Sequence, residues 1–164
     1  MNRKIYIKIG ILLVFALCIL AGCSAQQGGK YTIEELDNLA EIRIYSADNN
    51  ELIKTISNEE QLYRYNQCSH FDDSDIVERQ DELEKKLEGA TEQYYLISYK
   101  YPVARFGKKD LEENITITLY ENTNIIKWTA AGESIKSFSV PEEFLTFYYE
   151  ISEEDMNFYR SLVE

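Results

Sequence analysis

Apolar and polar positions alternate in two runs near the start of the chain, residues 41–46 around Ile42 and Ile44 and residues 51–56 around Ile53 and Ile56. Between them Asp48-Asn49-Asn50 offers residues that tolerate a left-handed backbone, so the pair predicts a β-hairpin. Just before it, Thr32-Ile33-Glu34-Glu35 fits a capping box, and Ile33, Leu36 and Leu39 share one helical face, which predicts a short opening helix. Just after it, Ser57-Asn58-Glu59-Glu60 is a second capping box, predicting a helix to about residue 67 with Leu62 and Tyr65 inward.

A third helix is expected over residues 75–88, capped by Ser74, with Leu83 and Leu87 four apart, a Glu82–Lys86 pair and Gly89 as terminator. Most of its surface is charged, and the pattern fits a helix lying on a sheet as well as one projecting into solvent. Strand patterns then follow at residues 93–101, extended by 103–106 past Pro102, and at 115–120, 125–129 and 135–140. Pro141-Glu142-Glu143 opens a helix with Phe144, Leu145 and Tyr148 on its apolar side, and Ser152-Glu153-Glu154-Asp155 caps the stretch 156–163. The end of the chain is thus expected as one bent helix or two short ones. The fold class that results is α+β: an antiparallel sheet of about six or seven strands built from hairpins, with short capped helices on one face.

A shift of seventy-three residues superposes Ile42 on Ile115, Ile44 on Ile117, Asn49 on Asn122, Ile53 on Ile126 and Lys54 on Lys127. Hairpins of alternating isoleucines resemble one another by chance, so a duplication and a coincidence both fit.

The pattern before residue 30 is of another kind. Arg3, Lys4 and Lys8 precede an unbroken run of twelve mostly apolar residues, 9–20, and small residues follow. These are the parts of a secretory signal. As a helix, residues 9–22 would span roughly 21 Å, short of the ~30 Å hydrocarbon core, which disfavours an uncleaved anchor; ordinary secretion is the other alternative. Leu20-Ala21-Gly22-Cys23 resembles the lipobox of bacterial lipoproteins. The resemblance implies cleavage between Gly22 and Cys23 and a diacylglyceryl group on the Cys23 thiol. The expected organisation is a signal peptide at 1–22, a lipidated N-terminus and flexible tether at 23–31, and one extracytoplasmic domain at 32–164.

Charge sharpens this picture. The whole chain carries −12, and because residues 1–22 hold three cations and no acid, residues 23–164 carry −15. Such a chain repels nucleic acid and attracts cations and cationic peptides, although solubility at a crowded surface explains acidity as well. Residues 23–164 suffice for one hydrophobic core. Of the three cysteines, Cys18 falls in the signal and Cys23 in the lipobox, leaving Cys68 with no partner for a disulfide.

Candidate chemistry is thin. Cys68 and His70, the single histidine, sit beside Asp72, Asp73 and Asp75, but zinc needs three or four ligands of suitable geometry. A calcium loop begun at Asp73 would put Val77 at a ligand position, with Glu78 where glycine belongs. Ser-His-Asp and Cys-His nucleophiles would both need His70, there is no G-x-S-x-G elbow, and no glycine-rich loop precedes a helix. Paired carboxylates can be drawn from twenty-nine acids in too many ways to single out two. The expectation is no catalytic residue, no metal and no cofactor. Among thirteen tyrosines, Tyr99 and Tyr101, with Trp128, are candidates for an aromatic ligand platform, against plain packing in strands.

On its lipobox the chain resembles small lipoproteins of Gram-positive bacteria, and over residues 41–164 it shares with them Ile-x-Ile hairpins and capped helices as a pattern. It also resembles, more loosely, lipid-anchored immunity proteins that protect producers of cationic antimicrobial peptides. The expected function is a lipid-anchored, non-catalytic binding or interaction module on the extracytoplasmic face of the cell membrane, partnered by the membrane through Cys23 and by a protein or ligand, not nucleic acid. The alternatives are sequestration of a cationic peptide and an envelope hydrolase.

Overall fold

A computed structural model describes residues 30–69, 71, 76–102, 110–131 and 141–164. The signal segment with its lipobox, His70 with residues 72–75, the strand extension at 103–106 and the expected strand at 135–140 lie outside the described residues.

Six strands form one antiparallel sheet in the order β2-β1-β3-β4-β5-β6. They are β1 (Leu39–Ser46), β2 (Leu52–Ile56), β3 (Glu92–Lys100), β4 (Glu112–Tyr120), β5 (Ile125–Ala130) and β6 (Thr146–Glu150). Three helices accompany them: α1 (Glu59–Cys68), α2 (Ile76–Lys86) and α3 (Glu153–Val163). The fold is α+β with an open sheet, and the β1-β2 and β4-β5 hairpins fall where the alternation predicts them.

Register follows from hydrophobic pairing. Ile42 and Ile44 stand opposite Ser98 and Leu96, which stand opposite Ile115 and Ile117 on β4; Ile117 and Leu119 face Trp128 and Ile126, and those face Phe147 and Tyr149. Because side chains alternate, these positions share one face, which α1 and α3 cover with Leu62, Tyr65, Met156, Tyr159 and Leu162. Ile42, Ile44, Leu96, Ile117 and Ile126 lose all contact with solvent there. Tyr65 and Tyr159 meet edge to face at 5.9 Å. Their hydroxyls and Trp128 Nε1 are buried without a hydrogen bond of good geometry, with the Ser98 side chain close to the Tyr65 hydroxyl.

The expectation that all helices lie on one face is corrected by α2. Leu83 and Leu87 pack on Tyr120 and Ile125, with Tyr148 beside them. Those three residues alternate with Leu119, Ile126 and Tyr149 along their strands and so belong to the opposite face. The helix therefore lies on the sheet and does not project: two leucines four apart are a stripe wide enough to cover the β4–β6 corner and no more. Gly89, at φ +82°, ends the connection, a backbone conformation that glycine adopts without strain.

Two expected helices are absent. The Thr32–Glu35 box forms, the Glu35 amide donating to Thr32 Oγ1 at 3.1 Å and the Thr32 amide to Glu35 Oε2 at 2.7 Å. Asp37 and Asn38 then take positive φ, so the chain stops after one turn and drops Leu36 and Leu39 into the core. After Pro141 a single 3-10 turn, Glu142–Leu145, leads into β6 instead of a helix. Thr-Phe-Tyr-Tyr is β-branched and aromatic, and as a strand it offers Phe147 and Tyr149 to one face and Tyr148 to the other, which a helix could not do. In α1 the cap is Asn58, one residue beyond Ser57, its Oδ1 accepting from the amides of Glu60 and Gln61. Ser152 caps α3 as expected.

The two hairpins related by the seventy-three-residue shift agree in their first strands only. Ile53 is 45% exposed whereas Ile126 is fully buried, and the left-handed turn residues, Asn50 and Asn122, are one place out of step. What they share is the pattern of a hairpin with one buried side.

Candidate functional site

Cys23 and Gly22, the lipidation and cleavage residues expected from sequence, lie outside the described residues. The described residues begin at Lys30, seven positions beyond Cys23. Lys30 donates its amide to Glu59 Oε2 at 2.7 Å, and the Tyr31 ring stacks on Tyr63 of α1 with centroids 4.2 Å apart. Two residues assigned from sequence to the tether thus rest on α1.

Cys68 ends α1 with its thiol donating to Asp155 Oδ1 at 3.1 Å, and Arg64 reaches the same oxygen at 3.2 Å. Burial and the acceptor carboxylate push the thiol up to about 12, so near neutrality it is a protonated donor and not a nucleophile. Conversely, the Cys68 and Ser152 donors and the Arg64 guanidinium hold the Asp155 carboxyl below its ordinary value. The group ties α1 to α3. Among the described residues no cluster of three His, Cys, Asp or Glu side chains is placed to hold a metal ion.

On the α2 face, Glu92 at the start of β3 accepts from Tyr95 Oη at 2.6 Å, Tyr120 Oη at 3.2 Å and Lys127 Nζ at 3.2 Å. Burial alone would push its carboxyl up, but these donors outweigh it and leave the group below the ordinary range. Tyr95 is correspondingly pushed up to about 12, chiefly by the carboxylate it donates to. The three donors come from β3, β4 and β5, so the node links these strands on the α2 face. Nothing in the sequence marks it, since its members are separated by up to thirty-five residues.

The three aromatic candidates do not converge. Tyr99 lies under the Arg43 guanidinium, 4.2 Å from its ring centroid, on the face opposite Trp128. Trp128 faces the core, 5.9 Å from Phe147. Tyr101 is 53% exposed at the end of β3, its amide bonded to Asn38 O. No single platform results.

An open polar groove of about 580 Å³ lies where β3 begins, β4 turns into β5 and β6 ends; Gln93, Glu121, Asn122, Asn124, Glu150 and Arg160 line it. Its shape is set by internal bonds: the Ile151 amide donates to Asn124 O at 2.9 Å, the Ile125 amide to Thr123 Oγ1 at 3.1 Å, and Arg160 to Thr123 O at 3.3 Å. The groove offers the Glu121 and Glu150 carboxylates and side-chain amides beside the Arg160 guanidinium, with Glu150 already paired to Arg79 at 2.8 Å, so its lining is of mixed charge. Residues 121–124 lie between the strand patterns expected at 115–120 and 125–129, whereas their meeting with Glu150 and Arg160 depends on β6.

The two edges of the sheet differ in a way sequence gave no sign of. On β6, Gln80 of α2 donates Nε2 to Tyr148 O at 3.0 Å and accepts the Tyr148 amide at Oε1 at 2.7 Å. A side-chain amide thereby occupies the position of a neighbouring strand. On β2 the exposed run 48–53 includes Leu52 at 53% and Ile53 at 45%, and among the described residues no strand lies beyond it. Among the described residues, too, no helix is long and apolar enough to cross a membrane. Protein-family models, curated protein sequences and solved structures give no match to this chain.

Proposed function

We propose that the protein is a lipid-anchored cell-envelope protein whose domain binds a partner without catalysis. The observation that carries this reading is Leu20-Ala21-Gly22-Cys23 at the end of a short apolar run, with Cys23 seven residues before Lys30, where the described residues begin. At about 3.5 Å per extended residue, the intervening chain reaches roughly 25 Å, so a lipid on Cys23 would hold the domain close to the bilayer. A diacylglyceryl group supplies two acyl chains, where one alone binds marginally.

The second reading, uptake of a cationic peptide, is favoured by the −15 charge of residues 23–164. Cys23→Ser tests the anchor: the variant is expected to lose metabolic labelling by palmitate and to leave the membrane fraction or persist as precursor. A processed, membrane-bound Cys23→Ser protein overturns it.

A further inference from the structure

We propose that the β2 edge takes up an extended cationic peptide as a seventh strand; this rests on the binding reading and names its partner and place. An edge strand presents half of its N–H and C=O groups outward, and natural sheets protect such edges with prolines, charges or a covering helix. Here β6 is protected by Gln80, which satisfies both backbone groups of Tyr148. β2 contains no proline, its one charge, Lys54, is part-buried, and Leu52 and Ile53 are both about half exposed. A strand that alternates should hide one of two successive residues; the register shift at Ile44/Tyr45, a bulge of the kind that blunts some edges, is confined to the Leu52 end and leaves both apolar side chains exposed, with Lys54, Thr55 and Ile56 in regular register.

Charge complementarity selects the occupant. Residues 46–60 carry Asp48, Glu51, Glu59 and Glu60 against Lys54, and Glu60 also meets the Lys30 ammonium at 3.4 Å, which leaves the stretch net acidic. A second copy of this chain would bring the same acids to the same edge, in a molecule of net charge −12, so self-pairing is opposed by repulsion. A basic peptide gains both the backbone ladder and the surrounding carboxylates, the mode in which main-chain bonds give affinity and side chains give selectivity.

The test uses the full chain in detergent micelles and a peptide of about ten alternating lysines and valines. Binding is followed by fluorescence anisotropy, its location by amide hydrogen exchange. Expected are slowed exchange at residues 52–56, at least about tenfold weaker binding when alternate peptide amides are N-methylated, and a similar loss for Leu52→Lys with Ile53→Lys, whose exposed positions leave folding intact. N-methylation removes donors from the peptide and leaves its charge and the protein unchanged. Equal binding of the methylated peptide, sedimentation showing self-association through β2, or no binding at all overturns the proposal. Protection at residues 121–124 in place of 52–56 overturns the edge while the binding reading stands.

Discussion

The two edges of the sheet are chemically similar strands with opposite surroundings. β6 and β2 are each five residues long, rich in β-branched or aromatic side chains and free of proline. β6 lies under α2, held by the Gln80 amide, by an Arg79–Glu150 ion pair at 2.8 Å and by Tyr148 Oη donating to Glu84 at 3.2 Å. β2 has its hairpin partner β1 and an exposed outer rim. Edge protection in this fold is thus a property of what the neighbouring helix carries, and not of the strand sequence.

The largest way to break that asymmetry is Leu83→Ala. Leu83 is 4% exposed in a small cluster, and truncating it should cost about 2–3 kcal/mol in urea unfolding and raise exchange at Tyr148. A change below ~1 kcal/mol would show that the leucine stripe does not hold α2 to the sheet. Gln80→Ala should cost about 1 kcal/mol, because two backbone groups lose their partner but gain access to water. Its signature is faster exchange at Tyr148 with no change at residues 52–56; equal changes at both edges would sink the comparison.

The smallest effect concerns the polar node under α2. Glu92 has its carboxyl held below the ordinary 4.5, so its contribution is present above that value and is lost as pH falls through the depressed one. Glu92→Gln should therefore be less stable than the parent by about 0.5–1 kcal/mol at neutral pH, a figure discounted for partial exposure, and the gap should narrow as pH falls below the ordinary 4.5 and through the depressed value. A gap that does not narrow with falling pH would assign the loss to packing.

Sequence periodicity located five of the six strands and α1, α2 and α3 because each of them carries a one-sided apolar pattern or a side-chain cap. It missed β6, where aromatic residues on both faces imitate a helical stripe at Phe144, Leu145 and Tyr148. It overextended the Thr32 box, since a cap specifies how a helix starts and Asp37-Asn38 decided how soon this one stopped. The placement of α2 on the second face was illegible, because two leucines specify a partner surface without saying which. For the same reason the groove escaped notice: Arg160 and Glu150 acquire meaning only through β6. Gln80, a polar residue on a charged helix, carries no mark of its task until the strand beside it is known.

The stacking of Tyr31 on Tyr63 has a mechanical consequence. Any pull transmitted along the N-terminal segment first loads this ring pair and the Lys30–Glu59 bond, which link the chain to α1. Only beyond the turn closed by the Asn38 amide on Ile33 O does tension reach the sheet, at β1, a strand bonded on both sides by β2 and β3. Load thus arrives at an interior strand that must shed two ladders to move, behind an aromatic clasp that itself packs against the core.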